Sequence, residues 1–309
     1  MRTYGFLGAA ATLALATGGT MLLAPTALAA GTAATAATAS AYVGDDGTVH
    51  YKAASGQTNK LTITETYSSA YVFTFADDVE ITAGNGCSYP DPADPAGVQC
   101  TTSGNGDSDY YKHLYVADLG DGDDAATADA GNGAYGSIYG GTGDDSLKGT
   151  TQDILYGQDG NDHLAAAAVE FGGAGADVLT GTSAYPNELH GGSGNDNVTA
   201  YDSDDTLWGD SGSDVLHSGG GIDRLTGGNG DDRLYGGLHA DFLWGDAGND
   251  SLHGGDAGDT LKGGTGADRL FGETGKDDLY GNSGNDLLRG GTGTDNLSGG
   301  PGRDTVHQN

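Results

Sequence analysis

Sixteen aspartates occupy one place in a nine-residue repeat: Asp145, Asp162, Asp177, Asp196, Asp205, Asp214, Asp223, Asp232, Asp241, Asp250, Asp259, Asp268, Asp277, Asp286, Asp295 and Asp304. An isolated aspartate in a glycine-rich turn ordinarily makes an Asx hydrogen bond to its own backbone. Sixteen in phase, with almost no lysine nearby to balance them, are better read as ligands. Carboxylates flanked by glycine carbonyls make an all-oxygen donor set, which suits a hard divalent cation. Zinc, which favours nitrogen and sulfur, is poorly served.

The unit that carries them is G-G-x-G-x-D-x-U-x, where U is a large aliphatic residue. It appears at 140–148 (GGTGDDSLK), 157–165 and 172–180, and then runs from 191 to 307 as thirteen units without insertion or deletion. The eighth position is Leu or Val in every unit, from Leu147 to Val306. The register slips between 149 and 190, through an eight-residue unit (149–156), a spacer (166–171, AAAAVE) and ten residues without the aspartate (181–190). Two turns depart from the motif. Residues 200–205 (AYDSDD) lack all three glycines, and 254–259 (GGDAGD) move the third by one place. Sites through these turns are expected to be weaker or vacant, and the break at 181–190 is expected to end one row of sites and start another.

To hold such turns in line, the chain needs strands between them. Three residues, x-U-x, suffice for a short strand with U inward and its neighbours outward. The remaining six, G-G-x-G-x-D, are expected to form the turn, the glycines allowing left-handed φ and close approach of carbonyls. Two units then make a flattened coil with a strand on each side, and coils stack at ~4.8 Å. The thirteen regular units predict a rod segment on the order of 30 Å long. One aliphatic side chain per nine ordered residues is a thin core against the entropy of ordering them. The bound cation is expected to supply the difference, joining Asp205 with Asp223 on one edge and Asp214 with Asp232 on the other.

The pattern resembles the glycine- and aspartate-rich nonapeptide repeats of RTX (haemolysin-type) calcium-binding proteins, over about 140–307. The resemblance implies an all-β fold, a right-handed parallel β-roll, with Ca2+ as the bound ion between turns two units apart. The first 139 residues are not covered by this motif. Their layout is similar to that of secreted actinobacterial calcium-binding repeat proteins.

The composition agrees with a cation-binding solenoid. The chain of 309 residues has 59 glycines, and 44 acidic against 12 basic residues give a formal net charge of −32. Such a field repels nucleic-acid phosphates and anionic lipid headgroups, so neither nucleic acid nor an inserted membrane is an expected partner. Glycine does not fall at every third residue and proline is scarce, which excludes collagen.

The opening reads as an export signal over 1–29: Arg2, a largely apolar run, and the small-x-small site Ala27-Leu28-Ala29. A flexible leader is expected over 30–40, and degenerate repeats over 120–139. Residues 41–119 hold short β-prone runs, including 61–64 (LTIT), 71–75 (YVFTF) and 79–82 (VEIT). They are either a small antiparallel β cap or the first coils of the solenoid. Cys87 and Cys100, the only cysteines, are expected to form a disulfide in an exported chain.

No G-x-S-x-G elbow, H-E-x-x-H helix or P-loop is present, so an enzyme is not expected. His163, His217, His253 and His307 flank the inward residue and should face solvent, as should Tyr156, Trp208, Tyr235, Trp244, Phe271 and Tyr280. The expected function is that of a secreted, extracellular calcium-binding module. The alternative is an adhesin-like or ligand-binding module that uses the roll as scaffold, with an extracellular protein or glycan as partner.

Overall fold

The computed structural model describes residues 38–68, 70–102, 114–130 and 134–308. The expected export signal and most of the expected leader lie outside them. Among the described residues the strands form two sheets, of fourteen and fifteen strands; from Tyr115 on they alternate between the two, each pairing in parallel with the next strand of its own sheet. This is a parallel β-roll. From Glu188 onward the register between coils is eighteen residues, as in Leu207↔Leu225 and Leu225↔Leu243. Ahead of it the slips in the repeat are taken up one by one. Ser137 pairs with Ile154, Ile154 with Val169, and Val169 with Glu188. These offsets of 17, 15 and 19 residues follow from the short unit, the spacer and the long unit.

The division of the repeat into strand and turn differs from the expected one. In the regular coils a strand covers six residues, x-U-x-G-G-x, as in Thr206–Ser211 and Arg224–Asn229. Only three residues are left for the turn. The second-glycine position and the residue after it pair across coils, with Gly192 opposite Asp210, Asp210 opposite Gly228 and Ser211 opposite Asn229, so the ladder continues beyond the hydrophobic triplet. The two-residue side-chain period then places three positions on the inner face: the aspartate, the aliphatic residue and the first glycine. Asp205, Leu207 and Gly209 are all buried. The aspartates thus share the inner face with the leucines, at the point where the chain turns.

The N-terminal strands divide between parallel neighbours in the roll and a local antiparallel group. Strands β1 (Ala39–Val43), β2 (Val49–Lys52) and β3 (Lys60–Tyr67) are followed by β4 (Tyr71–Ala76), β5 (Ile81–Ala83), β6 (Cys87–Ser88) and β7 (Gly97–Thr102), then β8 (Tyr115–Asp118) and β9 (Ala125–Ala130). Strands β2 and β3 pair in parallel with β8 and β9, and so form a first coil of the roll. Between them, β4, β6 and β7 continue from β3 as antiparallel neighbours, the local cap. Strand β1 already begins at Ala39, inside the segment expected to be a leader, because it pairs with β2 and β5.

The cap supplies the bulky core that the repeats lack. Tyr51 points inward in line with Ala117 and Ile138, and its ring stacks on Phe75 at 5.8 Å. Phe73 packs on Tyr115 at 5.5 Å, and the Tyr115 hydroxyl donates to Asp153 Oδ1 at 2.7 Å. Cys87 and Cys100 face each other across β6 and β7 and form the expected disulfide.

Candidate metal sites in the stacked turns

The sixteen aspartates fall into two rows, one along each edge of the roll. On one edge, each backbone N–H donates to the carboxylate of the next coil: Asp196 N to Asp214 Oδ1, Asp214 N to Asp232 Oδ1 and Asp232 N to Asp250 Oδ1, at 2.8–2.9 Å. The same ladder joins Asp145, Asp162, Asp177 and Asp196 and ends through Asp268 and Asp286 on Asp304. The other edge carries Asp205, Asp223, Asp241, Asp259, Asp277 and Asp295 in the same way.

The second carboxylate oxygen is left over. In fourteen of the sixteen, all but Asp295 and Asp304, Oδ2 is buried without a hydrogen-bond partner. Buried polar atoms are rarely orphaned, and here the orphan recurs with the repeat. In twelve of the fourteen, all but Asp205 and Asp223, Oδ2 is aimed at the first glycine of its own unit. The position that a Cβ would take on Gly209 lies 2.4 Å from Asp214 Oδ2 and 2.6 Å from the carbonyl oxygen of Gly227, one coil on. Gly245, between Asp250 Oδ2 and the Gly263 carbonyl, repeats these distances, and Gly172, Gly236, Gly272 and Gly281 come close to them. A side chain on the glycine would fill the space where these oxygens converge.

The electrostatics mark the same place. Burial pushes the carboxyls of Asp145, Asp177, Asp214, Asp232, Asp250 and Asp259 up to about 7, and that of Asp241 up to about 8. Carboxylates in neighbouring coils add to this, such as Asp214 and Asp250 beside Asp232, while the backbone N–H bond opposes it. A row of buried carboxylates without counter-charge is what a cation would relieve. Among the described residues no three His, Cys, Asp or Glu side chains gather as a metal cluster. The groups that converge at these points are carboxylate and carbonyl oxygens, a donor type suited to a hard cation.

Three members of the rows escape the nine-residue motif. Asn59 N donates to Asp124 Oδ1, and Asp124 N to Asp145 Oδ1, which extends the first row back to the residue before β3. Asn187 N donates to Asp205 Oδ1 and heads the second row. Residues 181–190 therefore interrupt only one edge. A second ladder uses the fifth position of the unit, where Asn249 N donates to Asp231 Oδ1 and Ala267 N to Asn249 Oδ1. The frequent Asp or Asn at that position was the available signal.

The irregular turns depart locally. In unit 200–208 the first glycine is Ala200, and in unit 218–226 it is Ser218, whose hydroxyl donates to the Gly236 carbonyl at 2.8 Å. Side chains thus stand where Asp205 and Asp223 would otherwise face a glycine. At 254–259 the shifted glycine does not shift the fold: Ala257 takes the positive φ, at 85°. Gly254 still faces Asp259 Oδ2.

One further carboxylate was not foreseen. Glu170 replaces an inward aliphatic residue, between Leu155 and Leu189. It is fully buried, its Oε1 accepts from Ala167 N at 3.1 Å, and burial pushes it up to about 8. It sits beside the short coil and satisfies backbone that the spacer leaves unpaired.

The residues expected outside do lie on the outer faces, where many stack along the roll. Tyr139, Tyr156, Phe171, His190 and Trp208 form one column with ring centroids 4.1–5.1 Å apart. His217, Tyr235, His253 and Phe271 form another on the opposite sheet.

The model of the RTX calcium-binding nonapeptide repeat matches residues 139–168, 171–184, 182–216, 217–252, 253–288 and 271–306, more than half of the chain. The chain belongs to the RTX calcium-binding repeat family. Comparison with curated proteins returned no match. The RTX repeat is a structural unit, not a catalytic one, and the matched segments coincide with the two rows of aspartates described above.

Replacing Asp232 with Asn should test the coupling along an RTX row. Its Oδ1 accepts from Asp214 N, and its own N–H donates to Asp250. The expected result is loss of one or two bound calcium ions by calorimetric stoichiometry, with the others retained. Loss of all binding would show that the sites are not local to their coils.

Proposed function

We propose that this protein is an exported, extracellular scaffold whose roll is stabilised by calcium ions held between stacked turns. The observation that carries the reading is the recurring orphaned oxygen: a buried Oδ2 converging with the carbonyl of the next coil on a point that only glycine leaves open. Asp214 with the Gly227 carbonyl, Asp232 beside Gly227, and Asp250 with the Gly263 carbonyl would be among the groups that hold the ions. Calcium would supply the positive charge that buried carboxylates stacked coil on coil lack. The apolar interior is one leucine deep per strand, Leu207 to Leu288, so this charge balance would decide whether the coils stay stacked.

The chain's own residues do the rest. Backbone N–H groups of one coil orient the carboxylates of the next, and the fifth-position ladder holds the outer side of the turns. Export fits this design, because calcium is scarce where the chain is made and plentiful outside. The test is a calcium titration of the mature chain followed by far-ultraviolet circular dichroism. The calcium-free chain at neutral pH should be largely disordered and gain β signal cooperatively on addition. A spectrum unchanged by calcium or by a chelator would overturn the proposal.

A further inference from the structure

The acidic residues of the roll crowd its edges, and one broad face carries few of them, Glu273 and Asp256 lying toward the turn ends of its strands. On the fifteen-stranded sheet, the outward seventh and ninth positions of the ten units from Ser146 to His307 include no Asp or Glu. They do include Lys148, Arg233, Arg269 and Arg289, in a chain with only 12 lysines and arginines. Arg233, Ser251 and Arg269 are direct register neighbours on three successive strands. At ~4.8 Å per strand, the two arginines bracket the serine across roughly 10 Å.

These residues line a cleft of 370 Å³ together with His253, Phe271, Asn249, Asp231 and Asp232. Among the described residues no arginine forms a salt bridge; the four ion pairs present involve lysine or histidine. The Arg269 guanidinium lies over the Phe271 ring at 5.8 Å. Asp231, on the turn side, has its Oδ1 taken by Asn249 N and Nδ2. His253 is fixed from every side. Its ring is stacked between Tyr235 and Phe271, Nδ1 bonds Glu273 Oε1 at 3.0 Å, and Nε2 lies 3.3 Å from Ser251 Oγ.

We infer that this cleft binds an oxyanion, a carboxylate or a sulfate or phosphate ester, between the guanidinium groups of Arg233 and Arg269, which flank Ser251. Guanidinium forks match such groups with paired hydrogen bonds. The stacked rings and the Glu273 bond hold His253 so that its Nε2 edge, next to Ser251, borders the same space. The site uses neither row of turn aspartates as ligand. It goes beyond the calcium reading, and its test stands or falls separately.

The test uses the full chain in saturating calcium with histidine-selective labelling. Acetate, methyl sulfate and methyl phosphate are titrated while the His253 ring resonances are followed. At least one anion should give a saturable shift. Arg233→Gln and Arg269→Gln should weaken it about tenfold or more, whereas Arg224→Gln on the opposite sheet should not. Unchanged His163 and His217 resonances would show that the variants remain folded. The most tightly bound of the three anions identifies the source of the group. Absence of a saturable shift with all three, an equal shift with sodium chloride at matched ionic strength, or unchanged affinity in Arg269→Gln would each overturn the inference.

Discussion

Mild acid should partly replace calcium. In the calcium-free roll burial raises the turn carboxyls above the ordinary 3.8 of an open chain, Asp214 and Asp232 to about 7 and Asp241 to about 8. Between about pH 4 and pH 7 the folded state therefore binds more protons than the unfolded one. Linkage then requires stability to rise as pH falls through the folded-state values, and to be lost as pH rises through them. Without calcium, the chain should show more β structure at pH 5.5 than at pH 7.5; still lower pH approaches the isoelectric point of 4.1 and invites precipitation.

In saturating calcium the sign reverses for affinity. Protons compete with the ion, so the calcium midpoint should move to higher concentration as pH drops below about 7. Calcium binding near pH 6.5 should also release protons, readable by calorimetry in buffers of different ionisation enthalpy. A calcium-free chain whose β content grows with rising pH would show that the turn carboxylates are not buried as described.

The features of the roll readable in sequence are those that a side chain enforces in every unit. An aliphatic residue at a fixed ninth spacing has one inward place per strand, so Leu207, Leu225 and Leu243 announced both the period and the pairing. Slips in unit length became slips in register because a parallel ladder records the length of each coil. Other features were hidden because the backbone enforces them. The first two glycines belong to strands, yet glycine signals turns; only pairing shows that Gly192 and Gly228 lie in the ladder. Asn59, Asp124 and Asn187 continue the aspartate rows because the rows are joined through backbone N–H groups, which these residues supply although they break the motif. The cap lies between β3 and β8, and its insertion conceals that both belong to consecutive coils.

The largest single-residue effect should come from the fourth position of a regular unit. Gly212 has φ 149°, and a Cβ placed there would lie 1.2 Å from the carbonyl oxygen of Gly194 in the coil before. Backbone meets backbone, so no side chain can swing away. Gly212→Ala must either separate two coils or change the turn, and should cost about 3 kcal/mol or more. The irregular turns show what the chain does when it tolerates a side chain there: Ser203, His239 and Ala257 adopt φ of 99°, 74° and 85°. Ala257→Gly is the matched reverse. It relieves a left-handed alanine and should stabilise by roughly 0.5–1 kcal/mol. Denaturant unfolding in saturating calcium, compared with wild type, would measure both. If Gly212→Ala were as stable as wild type, the close stacking of turn carbonyls between coils would be wrong, and with it the geometry assigned to the cation sites.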